Sequence, residues 1–163
     1  MKALPKTTIR QGGPQDAASI AQALHESFAE YEALYTREGF AATVLNADHI
    51  LCRMREGPVW VAWCEHRVLG TAAAVLKGKS AYMRGMAVLP AARGARIAAR
   101  LLEQVECWAS NQGCCRVFLS TTPFLSTAIR LYERSGFRRT DEGPNDLFGT
   151  PLFTMEKNLI ARG

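Results

Sequence analysis

Two arginines on either side of a glycine mark the part of the sequence best suited to bind an anion. Residues 93–98 follow an apolar segment, so a strand is predicted to end there and a helix to begin near Gly94. The first N–H groups of a helix lack partners within it and lie at the positive end of its dipole. Gly94 would let a ligand approach the backbone, and Arg93 and Arg96 would add charge and hydrogen-bond donors. The segment therefore predicts a pyrophosphate site, and the alternative is an ordinary helix start with solvated arginines.

A second helical segment carries a tyrosine near its end. Residues 123–135 have apolar side chains at helical spacing, and Tyr132 lies on that apolar face. Thr122 is predicted to cap the start of this helix, Pro123 to take its first position and Gly136 to end it. Taken alone, a tyrosine at this place is most simply a half-buried core aromatic.

The remaining elements predict an α+β fold, or mixed α/β, that positions these two helices. Three β-favouring runs separated by turns indicate consecutive antiparallel strands, after which strands and helices alternate. At 163 residues the chain fits a single domain, residues 1–163. The predicted strands are 7–10, 59–64, 68–76, 81–89, 116–120, 137–140 and 152–156, and the predicted helices are 42–54, 123–135, one from Pro14 and one from Gly94.

Composition excludes several classes of protein. The 48% hydrophobic and 21% charged residues are typical of a soluble globular protein, and no apolar run approaches the roughly 18 residues that cross a bilayer. The five cysteines and three histidines share no metal-ligand spacing, so no metal is expected. An odd number of cysteines without a signal-peptide pattern predicts a reducing, cytoplasmic location.

The net charge of +5 leaves two kinds of anionic partner open. A broad positive face could serve nucleic acid, but it suits a multiply phosphorylated small ligand equally well. No zinc-finger spacing or RNA-binding aromatic signature accompanies the charge, so nucleic acid is the less favoured partner. The G-x-G-x-x-G and P-loop patterns are absent as well, which argues against dinucleotide or nucleoside triphosphate binding by those motifs.

The two helical segments resemble the GNAT superfamily of N-acetyltransferases. Residues 93–98 are similar to its acetyl-CoA loop, [Q/R]-x-x-G-x-[G/A], in which Arg93 matches the first position and Ala98 the last. Arg96 stands where the family usually has glycine. Residues 128–137, A-I-R-L-Y-E-R-S-G-F, resemble the family segment A-x-x-[LF]-Y-x-x-x-G-F.

The resemblance implies a fold, an activity and a set of site residues. The implied fold is a GNAT-like domain with a central, mostly antiparallel, twisted sheet of about six or seven strands flanked by about four helices. Residues 81–138 are implied as the CoA-binding core. The implied activity is transfer of the acetyl group of acetyl-CoA to an amine acceptor by direct attack in a ternary complex. Tyr132 is implied as the catalytic residue beside the CoA sulfur.

Contacts to acetyl-CoA follow from the same resemblance. In the family the strand before the loop separates from its neighbour, which implies that the backbone of Met86 and Val88 contacts the pantetheine and the thioester carbonyl. Leu125 stands where the family often has asparagine, so that contact is either missing or moved to Ser126. The implied cofactor-binding residues are Met86, Ala87, Val88, Arg93, Gly94, Ala95, Arg96, Ile97, Ala98 and Ser126.

The acceptor and the general base stay open. The predicted acceptor pocket combines the hairpin strands, the segment near 145–152 and aromatic residues within 28–40, which could equally be core residues. Segment 81–86 has no carboxylate to act as a base. Glu30, Glu32 and Glu38 are candidates, although each is more simply part of a solvated surface, and no base is assigned.

Two other functions compete with catalysis. The runner-up is a non-catalytic CoA-sensing or protein-binding module on the same fold, and the third is an arginine-rich nucleic-acid binder. Fold alone does not decide among them, because function depends on the site. A homodimer is an expectation from the family, without independent support in the sequence.

Overall fold

The computed structural model describes residues 6–160. Seven strands form one sheet in the order β1-β2-β3-β4-β5-β9-β6, in which β4 and β5 are the parallel pair and the other neighbours are antiparallel. The strands are β1 Thr8–Gln11, β2 Val59–Cys64, β3 Arg67–Lys77, β4 Ser80–Val88, β5 Arg116–Thr121, β6 Arg138–Thr140 and β9 Phe153–Asn158. A separate two-stranded hairpin of β7 Asp146–Leu147 and β8 Thr150–Pro151 was not predicted from the sequence.

Five α-helices and three short 3₁₀ segments connect the strands in the described part of the chain. The α-helices are α1 Ala17–Phe28, α2 Arg37–Thr43, α3 Ala47–Glu56, α4 Ile97–Asn111 and α5 Ser126–Arg134, and the 3₁₀ segments are Pro14–Asp16, Ala29–Leu34 and Pro90–Ala92. This mixed architecture with a mostly antiparallel seven-stranded sheet confirms the predicted fold class.

Three predicted helix boundaries are wrong. The segment 42–54 is divided between α2 and α3, because Asn46 accepts a hydrogen bond from the N–H of His49 at 2.9 Å and begins a new helix. Helix α4 begins at Ile97 rather than near Gly94, since the loop before it contains two residues with positive φ. Helix α5 begins at Ser126, and residues 122–125 form a turn instead of its first turn.

Helices α1 and α4 pack their apolar faces against the sheet. Ile20 and Leu24 of α1 and Leu101 and Val105 of α4 are each at most 1% exposed. Fully burying a side chain of this size stabilises the fold by about 1.5–3 kcal/mol. These residues belong to the same buried cluster as the central strands, so the two helices hold β3 and β4 firmly in place.

The parallel strands β4 and β5 separate soon after they begin. Their pairing is confined to Ser80–Tyr82 against Arg116–Phe118. Beyond those residues β4 continues to Val88 and β5 to Thr121 without pairing to each other. The sheet therefore opens into a gap between two strands whose outer sides remain paired to β3 and β9.

Candidate active site

A cleft of about 820 Å³ occupies the gap between β4 and β5. This volume is typical of small-molecule sites. Its walls come from the end of α1, the facing parts of β4 and β5, the loop before α4, and α5. Of the predicted site residues, eight line this cleft: Met86, Val88, Arg93, Gly94, Arg96, Ile97, Ala98 and Tyr132.

A bulge in β4 shapes the cleft wall. Thr71 of β3 pairs with Ala87, whereas Ala73 pairs with Arg84, so β4 has one residue more than β3 over this stretch. Gly85 takes up the extra residue with a φ of 65°, which glycine adopts without strain. The bulge turns the strand just before Met86.

The backbone after the bulge has free groups on the cleft side. The N–H of Leu89 donates to the carbonyl of Leu69 in β3 at 2.9 Å. Because successive residues of a strand direct their backbone groups to opposite sides, Ala87 also faces β3, while Met86 and Val88 face the side that β5 has left. Ala87 is buried and lies outside the lining of the cleft.

The loop before α4 offers open space to a ligand. Gly94 has a φ of 90°, and a Cβ built on it would meet nothing within 4 Å. Arg96 adopts the left-handed conformation, with φ 61° and ψ 19°, and precedes the first residue of α4. The position at which the family usually has glycine therefore keeps a glycine-like backbone although it carries arginine. Ala95 lies outside the lining of the cleft.

Arg93 connects this loop to α1. Its Nη1 donates to Glu30 Oε1 at 2.5 Å, and its Nη2 donates to the carbonyl of Ser27 at 3.1 Å. Both Arg93 and Glu30 are partly exposed, with 36% and 47% of their side chains accessible. The Arg93 guanidinium therefore stands at the cleft mouth, with part of its charge offset by Glu30.

Tyr132 lies on the opposite wall, in α5. Its ring is 5% exposed and packs against Phe137, with 5.8 Å between ring centroids. The N–H of Phe137 donates to the Tyr132 carbonyl at 2.9 Å, and Gly136 ends the helix with a φ of 97°, as predicted. Burial raises the pKa of the Tyr132 hydroxyl above its usual range, so the phenol is neutral and can donate a proton.

Ser126 does not reach the cleft. It is exposed at the start of α5, whereas its neighbours Thr127 and Ala128 line the cleft. Thr122 was predicted to cap α5, but Leu125 holds the cap position and its N–H donates to the Thr122 carbonyl at 3.1 Å.

Three aromatic side chains of segment 28–40 line the cleft, Phe28, Tyr31 and Tyr35, and Phe40 and Phe124 pack against Tyr35. Tyr35 is 9% exposed, and its ring lies 4.9 Å from Phe124, 5.8 Å from Phe40 and 6.4 Å from Phe28 between centroids. The predicted aromatic segment 28–40 supplies these lining residues, whereas the packing of Phe124 against Tyr35 was not predicted. Leu147 and Leu152 also line the cleft, as predicted for the segment near 145–152.

The charged residues that line the cleft are all arginines. Three of them were not predicted as site residues from the sequence: Arg53 of α3, Arg84 of β4 and Arg134 of α5. The full set is Arg53, Arg84, Arg93, Arg96 and Arg134, and no carboxylate or imidazole is among the described lining residues. The cleft therefore favours anions, and Glu30, one of the candidate bases, accepts a hydrogen bond from Arg93.

A sheet opened between parallel strands, a small-residue loop at a helix start and a buried tyrosine define an acyl-CoA-dependent acyltransferase. The chain belongs to the acetyltransferase (GNAT) family, whose family model matches residues 20–137. The uncharacterized N-acetyltransferase YjgM of Escherichia coli is 34% identical over 78% of this chain and 79% of its own length. An IAA acetyltransferase of Azospirillum brasilense is 38% identical over 56% of this chain and 61% of its own length.

Solved structures share the fold. The PaiA N-acetyltransferase of Thermoplasma acidophilum, solved in complex with coenzyme A, has a TM-score of 0.81 at 17% identity and covers 94% of this chain and 99% of that chain. An acetyltransferase of the GNAT family from Staphylococcus aureus has a TM-score of 0.78 at 18% identity, over 95% of this chain and 100% of that chain.

The predicted family and activity are confirmed by these comparisons. The chain is an acetyl-CoA-dependent N-acetyltransferase that acts on an amine acceptor. None of these relatives supports the alternative of a non-catalytic sensor. No helix within residues 6–160 is long and apolar enough to cross a membrane.

Proposed function

We propose that the cleft between β4 and β5 binds acetyl-CoA and a small amine together, and that Tyr132 serves the leaving sulfur. One observation carries the proposal: free backbone of β4, the open loop before α4 and the buried hydroxyl-bearing ring of Tyr132 line the same cleft. These parts come from distant places in the sequence. Their convergence on one space of suitable size supports a shared role.

The loop before α4 and the strand β4 would bind different parts of acetyl-CoA. Gly94 leaves room for a pyrophosphate against the start of α4, where unpaired N–H groups and Arg96 favour anions. The backbone of Met86 and Val88 would hold the pantetheine and the thioester carbonyl. Bound acetyl-CoA supplies the activated acyl group. The Met86 N–H would then stabilise negative charge that develops on the thioester oxygen.

Tyr132 would supply a proton to the sulfur of CoA and regain one from the acceptor nitrogen. The acceptor nitrogen bonds to the thioester carbon while the carbon–sulfur bond breaks, and the Tyr132 hydroxyl gives its proton to the sulfur. The phenolate oxygen recovers a proton from the acceptor nitrogen, directly or through water. A neutral amine and a thioester thus yield an amide and a free thiol.

The arginines would help to provide the neutral amine. No carboxylate or imidazole among the described lining residues is placed to act as a base. Nearby positive charge disfavours an ammonium ion and lowers the pKa of a bound amine. Water leading out of the cleft would then take the proton without a dedicated base.

The proposal extends to the domain organisation, location and oligomeric state of the protein. We expect one domain over residues 1–163, a cytoplasmic location and a homodimer, with nucleic acid an unfavoured partner. The five cysteines are all free, which fits a reducing compartment. The described residues contain no group of three His, Cys, Asp or Glu side chains that could hold a metal ion.

Calorimetric titration with acetyl-CoA tests the binding site, using Gly94→Glu and a matched control. Gly113, at the far end of α4, also has a positive φ and open space around it, so Gly113→Glu adds the same charge and similar backbone strain. We expect Gly94→Glu to weaken binding at least about 10-fold through repulsion of the pyrophosphate, and Gly113→Glu to bind as wild type. Equal affinities for all three proteins would refute the loop assignment.

A further inference from the structure

Arg53 places a cation in the cleft beside Gly85, the residue before Met86. A Cβ built on Gly85 would lie 2.5 Å from Nη1 of Arg53, so the guanidinium rests against the bulge of β4. None of the described carboxylates lies within ion-pair distance of Arg53. Burial, followed by the nearby charge of Arg84, lowers the pKa of Arg53 to about 10. The residue is still charged at neutral pH, at a cost that a ligand anion would offset.

Arg84 provides a second guanidinium in the cleft, one of whose hydrogen-bond donors has no partner within the described residues. Its Nη2 donates to Glu56 Oε2 at 2.9 Å, but its Nε is buried and has no hydrogen-bond partner within the described residues. A buried donor without a partner costs about 1–3 kcal/mol. Arg53 and Arg84 together with Glu56 carry two positive charges and one negative charge. The pair therefore has one positive charge left for a monovalent anion.

We propose that the acceptor is a small amine that also carries a carboxylate, and that Arg53 and Arg84 bind this carboxylate. The inference rests on the N-acetyltransferase function proposed above and adds the class of the acceptor. A carboxylate matches the single net charge, and its planar oxygens match the fork of a guanidinium. The aromatic side chains of Phe28, Tyr31 and Tyr35, which line the same cleft, suit the carbon skeleton of such a molecule.

The position of Arg53 also suits the reaction. Gly85, which the guanidinium touches, directly precedes Met86, and adjacent Cα atoms are about 3.8 Å apart. A carboxylate on Arg53 would hold an amine one or two carbons away beside the backbone assigned to the thioester. Arg93, Arg96 and Arg134 remain for the phosphates of CoA, at the loop and at α5.

Paired substrates test this assignment. We would measure thiol release from acetyl-CoA with the common L-amino acids and with their carboxamides, which keep the amine and side chain but lack the charge. The carboxamide lowers the pKa of the neighbouring amine, so it is the more reactive nucleophile at a fixed pH. A preference for the free acid therefore cannot come from amine reactivity. We expect the best free acid to exceed its amide in kcat/KM by roughly 10- to 100-fold, as a charged hydrogen bond provides.

Variants on α3 locate the origin of the preference. Arg53→Gln should reduce the acid-to-amide ratio by roughly 10- to 100-fold and raise KM for the acid, with acetyl-CoA affinity within about 3-fold of wild type. Arg53→Lys should recover part of the ratio, because it keeps the charge but not the fork. Arg55→Gln, an exposed change on the same helix, should leave the ratio as in wild type.

The possible failures are distinguishable. Wild-type turnover of amides equal to or above that of acids, or an unchanged ratio in Arg53→Gln, overturns the carboxylate assignment and leaves the N-acetyltransferase function intact. Bound acetyl-CoA without thiol release for either half of the panel contradicts the catalytic proposal, and the acceptor assignment falls with it.

Discussion

The guanidinium of Arg93 and the carboxylate of Glu30 meet at 2.5 Å across the mouth of the cleft. Arg93 stands at the first position of the acetyl-CoA loop, and Glu30 lies in the 3₁₀ segment that follows α1. The ion pair therefore connects the proposed CoA end of the site to the proposed acceptor end. A phosphate that binds Arg93 must share the guanidinium with Glu30 or displace it.

Removing Glu30 should strengthen CoA binding. Glu30→Gln frees Arg93 and removes a negative charge near the phosphates, and exposed ion pairs of this kind are worth about 0.2–1 kcal/mol. We expect acetyl-CoA to bind about 2- to 5-fold more tightly to Glu30→Gln and at least about 10-fold more weakly to Arg93→Gln in calorimetric titration. Arg100→Gln, an exposed change on α4, is the control. Weaker binding by Glu30→Gln would mean that the ion pair preorganises Arg93 instead of competing for it.

Arg96 should be strained by its own backbone. With a φ of 61° it occupies a region that disfavours residues with a Cβ by about 1 kcal/mol. Arg96→Ala and Arg96→Gly both remove the guanidinium, so the difference between them isolates the backbone. We expect Arg96→Gly to have a free energy of unfolding about 0.5–1 kcal/mol higher than Arg96→Ala in urea denaturation. A more stable alanine variant would contradict the left-handed conformation.

Tyr132→Phe should affect the chemical step and spare binding. The ring packs against Phe137 and keeps its place, so we expect kcat to fall about 10- to 100-fold with little change in KM for acetyl-CoA. Burial raises the pKa of Tyr132. The proton-donating form is therefore present throughout the neutral and moderately alkaline range and is lost only as pH rises through the raised value.

The raised pKa of Tyr132 also determines how activity should depend on pH. Wild-type activity should rise with pH as the acceptor amine loses its proton, and it should not decline near the ordinary tyrosine pKa of about 10 because of Tyr132. The raised pKa also contributes stability that is complete below the unfolded pKa and is lost as pH rises through the folded one. Equal kcat values for wild type and Tyr132→Phe would exclude the hydroxyl from the reaction.

Arg53 should cost the enzyme stability. A depressed pKa in a base means that the folded state disfavours the charged form, so the penalty is complete below the folded pKa of about 10, decreases as pH rises above it and is gone only above the unfolded pKa. Arg53→Met removes the charge and keeps much of the side-chain volume. We expect it to raise the free energy of unfolding at neutral pH by about 1–3 kcal/mol, although it weakens the acceptor site.

The exposed Arg55→Met on the same helix provides the comparison for this measurement and should stay within about 0.5 kcal/mol of wild type. Destabilisation by Arg53→Met that exceeds the effect of Arg55→Met would show that the cation contributes to the fold. The Arg53 guanidinium would then stabilise the folded protein, which contradicts its assignment as an unpaired charge that binds a ligand.

Features set by local sequence were predictable. Gly136 follows an apolar helical face and ends its helix with a positive φ, as its position indicated. The alternating turns and β-favouring runs gave β2, β3 and β4 within one or two residues. The division between α2 and α3 was visible too, since Asn46 is a good N-cap residue, but the apolar face running across it masked the signal.

Features set by tertiary contacts were not predictable. Arg53 and Arg55 are two residues apart and of the same type, but Arg53 lies against Gly85 and lines the cleft, whereas Arg55 is exposed. The start of α4 was misjudged because arginine rarely adopts positive φ, so Arg96 gave no sign of a turn. Thr122 looked like a cap, but the chain makes a further turn before α5 begins.

Amine-dependent release of the CoA thiol from acetyl-CoA, measured with and without carboxylate-bearing amines, tests catalysis in this cleft most directly. We expect thiol release that requires both the amine and the protein, yields one amide for each thiol and falls in Tyr132→Phe. Acetyl-CoA binding with no amine-dependent release from any member of the panel would contradict catalysis by this site.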